Sequence, residues 1–213
     1  MKILVLSCDK YKPCWKPFFA LLNKYYPNHP KTYLVCETKK CEYCQTINVN
    51  NQSWTYRFKI ALEQIEDTEI LVLLDDFFIR KPVDVERINK LKFTDDIACY
   101  NFEQEYREPL LRCKEWDIQK NNQVYLNSCQ PTLHNKKILL EKLNKDETPQ
   151  DWEWEIVNSP YIHFINNQDL IIDIGKTYDM NWGIVRGKIS RECLDFLESE
   201  GLADEIKHYY TLL

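Results

Sequence analysis

Two adjacent aspartates, Asp75 and Asp76, directly follow the apolar run Glu69–Leu74 (EILVLL). The run has the length and composition of a buried strand, which places both carboxylates at a strand end. Carboxylate oxygens are the hard ligands that Mg²⁺ and Mn²⁺ prefer, and such an ion can bridge the phosphates of a diphosphate. The pair therefore predicts a metal centre. The alternative is that both side chains only solvate a junction between a strand and a loop.

Four other side chains are candidates for contacts with a phosphorylated ligand. Arg57 carries a planar guanidinium, which suits two-pronged binding of phosphate, although it could equally be a surface arginine of an amphipathic helix. Ser7 and Tyr11 follow the predicted first strand, where a hydroxyl can bond a ribose or base and a ring can stack on the base. Glu37 ends the predicted second strand and could make a similar contact. The alternative for all three is an ordinary loop or turn.

The run Asp151–Glu155 (DWEWE) is the best source of a catalytic base in the chain. A carboxylate can take the proton of an acceptor hydroxyl as it attacks, and indole faces pack against sugar C–H surfaces. Glu153 is the preferred base, because Asp151 is also well placed to cap its own helix. Trp152 and Trp154 are the candidate stacking residues.

The segment Asn181–Lys188 (NWGIVRGK) contains two of the four glycines of the chain. Glycine suits a loop that passes close to a ligand. We expect Arg186 and Lys188 to close on a diphosphate from this loop.

Two further features have a more ordinary explanation. His163 could be a second metal ligand, but a hydrogen-bonded core histidine is the simpler interpretation. Cys41 and Cys44 form a single C-x-x-C, whereas a structural zinc site would need two more ligands. A thioredoxin-type role is not favoured either, because the pair lies in a polar loop without a helix start to lower a thiol pKa.

Composition excludes several classes of protein. The net charge of −5 argues against a general nucleic-acid binder, and no apolar run approaches the roughly 20 residues of a membrane span. The four glycines are all at position 175 or later, which excludes a P-loop and a G-x-G-x-x-G turn in the first half of the chain. The nine cysteines lack the spacing of a disulfide scaffold, and no signal peptide is evident. We therefore expect a reducing, cytoplasmic location.

Strands alternate with helices over the first hundred residues, which predicts an α/β fold with a mainly parallel central sheet flanked by helices. Ligands bind beyond the carboxyl ends of such strands. The predicted elements end with strands at Tyr161–Ile165 and Leu170–Ile174 and a helix at Ser190–Glu200. With no linker or repeat, we expect one domain over residues 1–213.

Residues 70–82, ILVLLDDFFIRKP, resemble the DXD segment of glycosyltransferases with the GT-A fold, a Rossmann-like α/β fold. Ser53-Trp54 with Arg57, the dipeptide Gln130-Pro131 and the run Asp151–Glu155 are similar to donor-side and acceptor-side elements of small bacterial and large-DNA-virus members. On this match Asp76 takes the place of the usual metal ligand and Asp75 the middle position. Leu74 stands where the first aspartate is expected, so the ribose contact usually made by that aspartate is missing, and Asp75 could supply it.

The resemblance implies a hexosyl- or deoxyhexosyltransferase that uses Mn²⁺ or Mg²⁺ and moves a sugar from a nucleoside diphosphate, UDP above all, to a glycan or glycoprotein. It also implies a nucleotide-sugar-binding half at residues 1–105, an acceptor-binding half at residues 106–213 and an acceptor contact for Gln130. Two other hypotheses remain open. One is a non-catalytic protein of the same fold that binds carbohydrate or nucleotide-sugar. The other, a phosphoryl-transfer regulator, ranks last because only Asp9 provides an acid at the end of the first strand.

Overall fold

The computed structural model describes residues 1–50, 52–102, 109–175, 183–185 and 187–213. Its strands are β1 (Lys2–Leu6), β2 (Thr32–Cys36), β3 (Gln45–Asn48), β4 (Glu69–Leu74), β5 (Ile97–Asn101), β6 (Trp116–Ile118), β7 (Thr132–Asn135), β8 (Ile162–Asn166), β9 (Ile184–Val185), β10 (Lys188–Ile189) and β11 (Thr211–Leu212). Its helices are α1 (Lys12–Tyr25), α2 (Trp54–Glu63), α3 (Val85–Lys90), α4 (Lys136–Lys142), α5 (Pro149–Trp154), α6 (Arg191–Ser199) and α7 (Asp204–Lys207), with a 3₁₀ turn at Asp9–Tyr11 before α1.

Eight strands form one sheet in the order β3-β2-β1-β4-β7-β5-β8-β6. Strand β1 pairs in parallel with β2 and β4, β2 with β3, and β5 with β8. Strand β7 is antiparallel to both β4 and β5, and β6 is antiparallel to β8. Six strands thus run one way and two run the other, which confirms the predicted mainly parallel α/β sheet. The sheet takes strands from both predicted halves of the chain.

Strand β1 shows how the sequence builds two layers on this sheet. All of Ile3, Leu4, Val5 and Leu6 are buried, since a strand covered on both faces has apolar side chains at every position. Ile3 and Val5 belong to the core that also contains α1 and α6, whereas Leu4 and Leu6 belong to the core that contains α2 and α4. Both faces of β1 are therefore covered, and its carboxyl end lies beside those of the parallel strands β2 and β4 at one edge of the sheet.

Helix starts follow the predicted capping residues. The Ser53 side chain accepts a hydrogen bond from the backbone N–H of Tyr56, and Asn135 accepts one from Lys137. At α5, Thr148 and Asp151 make a reciprocal capping box, with Pro149 as the first helical residue. The start of α2 is important for the site, because this cap fixes the end of the helix that carries Arg57.

The strand predicted at Leu170–Ile174 is wrong. Ile171, Ile172 and Ile174 are buried as a strand would require, but the segment makes no sheet ladder. Instead the carbonyl groups of Ile171 and Asp173 accept hydrogen bonds from Asp84 and Arg80, in the irregular segment after β4. The apolar run at Leu170–Ile174 therefore reflects burial of an irregular segment and not a strand.

A search for a helix long and apolar enough to cross a membrane finds none in the part of the chain that the structure describes.

Candidate functional site

A cleft of about 380 Å³ lies at the carboxyl edge of β1 and β4, where the paired residues Leu6 and Leu74 end the two strands. Its lining combines residues from β1, the 3₁₀ turn, α2, β4 and the start of α5: Leu6, Ser7, Cys8, Tyr11, Trp54, Arg57, Leu74, Asp75, Asp76 and Pro149. Five of these are predicted donor-site residues from distant parts of the sequence: Ser7, Tyr11, Arg57, Asp75 and Asp76. The parallel topology places them at one edge, as expected for this class of sheet.

Asp75 is turned into the protein. Its side chain is 3% exposed, and its Oδ2 atom accepts hydrogen bonds from the Ser7 hydroxyl and from the Trp15 indole N–H at 2.9 Å. The indole N–H also lies 2.8 Å from the Ser7 Oγ atom. Burial, followed by the neighbouring Asp76 charge, raises the pKa of Asp75 well above its usual range, although Ser7 and Trp15 favour the charged form. Burial therefore favours the neutral form of the Asp75 carboxyl group, and a positive charge beside it would be needed to keep it ionised.

Asp76 is half-buried at the rim of the same cleft. Burial raises the pKa of its carboxyl group to about 7. Two adjacent carboxylates with raised pKa values are a suitable donor set for a divalent cation, because a cation stabilises both charged forms. No group of three or more His, Cys, Asp or Glu side chains suited to a metal occurs among the described residues. An ion here would thus take its remaining ligands from a bound diphosphate and water, as Mg²⁺ commonly does.

Arg57 is 11% exposed and forms an ion pair with Glu37, so the two predicted donor residues contact each other. The second Glu37 oxygen accepts a hydrogen bond from the backbone N–H of Asp9 at 2.5 Å. The Asp9 carboxylate in turn accepts hydrogen bonds from the backbone N–H groups of Thr38 and Lys39, both at 3.0 Å. These contacts join the loops after β1 and β2 and position the guanidinium at the cleft.

Aromatic side chains form part of the cleft wall. Tyr11 is half-buried, with its ring centroid 6.2 Å from that of Tyr210. Trp54 is half-buried and packs at 5.5 Å from the ring of Phe58 and 6.2 Å from that of Trp152. Sequence reasoning placed Trp54 on the donor helix but did not assign it a contact. Its position directly after the Ser53 cap was the available signal, since the first turn of α2 is the part that reaches the cleft.

The predicted acceptor residues are dispersed, and one of them needs correction. Trp152 is only 2% exposed and belongs to the core under α2, so both its faces contact protein and it cannot stack on a sugar in this structure. Trp154 is 56% exposed, and its indole N–H donates to the Tyr125 hydroxyl at 3.0 Å. Gln130 is half-buried and holds a buried amide oxygen without a hydrogen-bond partner among the described residues.

The two candidate bases make structural contacts. Asp151 is exposed and belongs to the capping box of α5, where its hydrogen bonds with Thr148 hold its pKa below the usual range. Glu153 is half-buried and accepts a hydrogen bond from the backbone N–H of Cys129 at 2.9 Å. Neither residue lines the cleft described above, although Pro149 of the same helix does. A base role for either residue remains a prediction.

The glycine-containing segment approaches the acidic pair through its backbone. Gly183 has φ +80°, and a Cβ atom there would lie 2.4 Å from the backbone oxygen of Asp76. Only glycine fits this approach without displacing the strand end. Lys188 is exposed in β10 and does not line the described cleft. The other predicted cation of this segment, Arg186, lies outside the described residues.

His163 is buried beside other polar groups, as the simpler interpretation predicted. Its Nε2 atom lies 3.0 Å from both the Lys142 Nζ atom and the Ser159 Oγ atom. Its Nδ1 atom lies 3.5 Å from the Cys99 sulfur. Burial, followed by the Lys142 charge, lowers its pKa well below the ordinary value, so the ring is neutral.

No protein-family model matches the chain, and no curated protein matches it. Solved structures do match. A nucleotidyl transferase from Methanothermobacter shares 9% identity, with a TM-score of 0.52, 78% of this chain covered and 87% of that chain. HddC from Yersinia pseudotuberculosis shares 12% identity, with a TM-score of 0.50, 77% of this chain covered and 88% of that chain.

A galactosyltransferase, LgtC, solved with donor and acceptor sugar analogues, is also similar: 15% identity, a TM-score of 0.46 and 66% of this chain covered. The chain spans 60% of the length of that enzyme. The chain shares the α/β fold of the nucleotidyl transferase and of HddC. At these identities the similarities establish the α/β fold class, and the activity has to be argued from the cleft.

Proposed function

We propose that this chain is a metal-dependent glycosyltransferase that moves a sugar from a nucleoside diphosphate, with UDP-sugars the first candidates, to a glycan or glycoprotein. The observation that supports this proposal is the convergence of Asp75, Asp76 and Arg57 on one cleft of about 380 Å³ that also presents a tyrosine and a tryptophan. Such a cleft combines apolar walls with a few convergent polar groups, as small-ligand sites generally do.

Each group has a distinct task in this proposal. Asp76 and Asp75 would hold a Mn²⁺ or Mg²⁺ ion, which would offset charge on a departing diphosphate. Arg57 binds a phosphate oxygen pair, and the half-buried rings of Tyr11 and Trp54 pack against the base. Trp15 and Ser7 orient Asp75 by donating to its inner oxygen. The hydrogen bond between Ser7 and Asp75 would therefore have to break before either side chain could contact the ribose.

The acceptor side of the proposal rests on one contact, that of α5 with the cleft. Helix α5 reaches the cleft at Pro149, so an acceptor hydroxyl near this helix start would lie close to the donor. We propose Glu153 as the base, with Trp154 and Gln130 as acceptor contacts. Glu153 would then have to exchange its hydrogen bond with the Cys129 amide for one with the acceptor. This assigns the first half of the chain to the donor and the second half to the acceptor.

Two other functions fit the same fold. A non-catalytic protein would bind a nucleotide-sugar without turnover. A nucleotidyl transferase, the activity named for one structural neighbour, would bind a nucleoside triphosphate. Arg57 is the one cation among the described residues that line the cleft, which favours a diphosphate over the more highly charged triphosphate.

The test is a thermal-shift screen of nucleotide-sugars and nucleoside triphosphates, each with and without Mn²⁺, followed by assays of donor hydrolysis and of sugar transfer. We expect a nucleoside diphosphate-sugar to raise the melting temperature in the presence of Mn²⁺. Asp76→Asn should weaken that Mn²⁺-dependent binding by about tenfold or more, since one charged ligand is lost. Asp95→Asn, at an exposed position outside the cleft, is the matched control.

The outcomes separate the hypotheses. Equal Mn²⁺-dependent binding in Asp76→Asn and wild type would refute the metal centre. Binding without hydrolysis or transfer would support the non-catalytic protein. Stabilisation by a nucleoside triphosphate alone, with release of pyrophosphate from that triphosphate when a sugar phosphate is added, would replace the proposal by nucleotidyl transfer.

A further inference from the structure

A pocket of about 320 Å³ lies between α3 and the far strands of the sheet, and it shares no lining residue with the cleft at Asp75 and Asp76. Its lining combines charged and aromatic side chains from three strands and one helix: Arg87, Lys90, Leu91, Lys92, Tyr100, Glu115, Trp116 and Phe164. The volume is at the lower end of the range for small-molecule sites. A small ligand in this pocket would therefore meet rings and charges together.

The aromatic wall of this pocket consists of three rings from β5, β6 and β8. Tyr100 and Phe164 are paired in register, and their rings stack with centroids 5.0 Å apart and planes within 8° of parallel. The ring of Trp116 meets that of Tyr100 edge to face, also at 5.0 Å. Tyr100 is buried, whereas Phe164 and Trp116 are half-buried. These two rings therefore keep apolar surface that a flat ligand ring can cover.

Three cations line the opposite side, at the end of α3 and just after it. Lys90 and Lys92 are exposed, and neither forms an ion pair among the residues that the structure describes. Arg87 is half-buried, and its guanidinium donates to the Asp169 carbonyl at 2.6 Å and to the Asn166 side-chain oxygen at 2.9 Å. Both acceptors are uncharged, and they use two of the five N–H donors of the group. The positive charge of Arg87 is therefore not offset by these contacts.

Hydrogen bonds attach the cationic side of the pocket to the aromatic side. Asn166, which holds Arg87, is 2% exposed at the end of β8, and its amide group donates to the Asp169 carbonyl at 3.2 Å. The Tyr100 hydroxyl donates to the Lys92 carbonyl at 2.7 Å. The guanidinium and the backbone of Lys92 are thus positioned by the same strands that carry the rings.

The charge of the lining indicates what kind of anion fits. Three lining residues are cationic and Glu115 is the one acidic residue among them, in a chain whose net charge is −5. A phosphomonoester carries about 1.5–2 negative charges at pH 7, close to this local excess, whereas a carboxylate carries one. Lysine and arginine are also the side chains that proteins use to bind phosphate.

We propose that this pocket binds a phosphomonoester carried on a ring, the chemistry that sugar phosphates and nucleoside monophosphates share. The phosphate contacts Arg87, Lys90 and Lys92, and the ring packs against Trp116 and Phe164. This second site does not depend on the glycosyltransferase activity proposed above, because it uses none of the residues of that cleft.

The test is isothermal titration calorimetry of the whole protein in EDTA, with glucose 6-phosphate, AMP, inorganic phosphate, glucose and adenosine as probes. We expect glucose 6-phosphate or AMP to bind about tenfold or more tightly than inorganic phosphate and than its own unphosphorylated form. Tighter binding of glucose 6-phosphate would identify a sugar phosphate as the source, and tighter binding of AMP a nucleotide. Arg57→Gln, in the other cleft, should leave this affinity unchanged.

Two variants test the two sides of the pocket separately. Lys92→Glu should weaken binding of the preferred phosphate by about tenfold or more, because a cation becomes an anion. Lys137→Glu makes the same change at an exposed position of α4 outside the pocket and should have little effect. Trp116→Leu should bring the affinity for the ring phosphate closer to that for inorganic phosphate, with the melting curve as a check of folding.

Three results would overturn the proposal. The first is no binding of either ring phosphate to the wild type. The second is equal affinity for inorganic phosphate and for the ring phosphates, which would leave the rings without a role. The third is equal weakening by Lys92→Glu and Lys137→Glu, which would show that only the net charge of the protein matters. The lysine pair gives this answer even if Trp116→Leu does not fold.

Discussion

At the scale of single residues, the two aspartates that look equivalent in the sequence have different surroundings in the structure. Asp75 faces Ser7 and Trp15, whereas Asp76 lies half-buried at the rim of the cleft. The sequence predicted that an acidic pair follows a buried strand, and this is confirmed. It could not predict the inward hydrogen bond from Trp15, because that residue lies 60 positions earlier and reaches Asp75 only through the packing of α1 against the sheet.

Asp173 provides a prediction about pH. Burial alone would raise the pKa of this carboxyl group, but the Gly175 N–H at 2.9 Å, Arg80 Nε at 2.8 Å and Lys81 Nζ at 3.0 Å together hold it below the usual range. A lowered pKa in the folded state stabilises the protein above the unfolded-state pKa of about 4. That contribution is lost as the pH falls through the lower folded-state value.

We therefore expect Asp173→Asn to reduce the free energy of unfolding by about 1–3 kcal/mol at pH 7. The difference from wild type should shrink as the pH falls below about 4. Urea denaturation at several pH values measures both. Asp169→Asn, at an exposed position four residues earlier, is the control and should have little effect at any pH. A pH-independent loss for Asp173→Asn would contradict the electrostatic explanation.

At the scale of elements, periodicity and capping residues predicted most of the first hundred residues. Strand β4 is observed at its predicted bounds, and α2 begins at the predicted cap and ends a turn earlier than expected. Strands β6 and β7 were not predicted, because they have only three and four residues and carry polar side chains. Their burial comes from the sheet around them, for example at Thr132, which is 1% exposed. Single-sequence patterns do not contain that information.

Substitution of Gly183 tests how closely its backbone must approach the carbonyl group of Asp76 after β4. Replacing it by alanine would place a Cβ atom 2.4 Å from the Asp76 carbonyl oxygen, in addition to the cost of φ +80°. Gly187 has φ +77° with no atom within 4 Å of the equivalent Cβ position, so Gly187→Ala isolates the backbone cost. We expect about 1 kcal/mol for Gly187→Ala and clearly more for Gly183→Ala, because the Asp76 backbone must move.

Denaturant unfolding of both variants measures the difference. Binding of the best nucleotide-sugar provides a second measurement, which Gly183→Ala should weaken and Gly187→Ala should not. Equal losses of stability in the two variants would show that the segment does not press on the Asp76 carbonyl.

At the scale of the whole molecule, late segments of the chain complete the layer over the first helix. Ile206 is fully buried in the core that contains α1. The Tyr210 hydroxyl lies 3.6 Å from the Cys14 sulfur, and Lys16 pairs with Glu205 at 2.9 Å. The cleft therefore rests on a helix whose outer face is covered by residues almost two hundred positions later. The sequence predicted the local strands and helices but contained no signal for this long-range contact.

Ile206→Ala tests how much the packing of this late segment against α1 stabilises the protein. Removing a fully buried side chain of this size should cost about 2–5 kcal/mol in the free energy of unfolding. Ile156→Ala makes the same chemical change at a position that is 67% exposed, and we expect its cost to stay below about 0.5 kcal/mol. Urea denaturation of the two variants side by side is the measurement. Similar losses would mean that the segment around Ile206 contributes little to the core.

The residues of the proposed donor side were more predictable than those of the proposed acceptor side for a topological reason. Side chains that follow parallel strands share one edge, so Ser7 and the acidic pair could be placed together from the sequence. Residues such as Trp152 and Glu153 lie on a short helix, where one residue of rotation decides between core and solvent. Trp152 is in the core and Trp154 is in solvent, and their common residue type could not distinguish them.

The ion pair between Arg57 and Glu37 has a consequence for any anion that enters the cleft. Arg57 already has a carboxylate partner, and Glu37 is also held by the Asp9 amide. Binding there is a competition between two anions for one guanidinium. A lone phosphate gains little by replacing a carboxylate that is already in place. A ligand that is already bound elsewhere in the cleft meets Arg57 at a high effective concentration, because its second contact is intramolecular. This arrangement discriminates against free inorganic phosphate and favours molecules long enough to reach several contacts together.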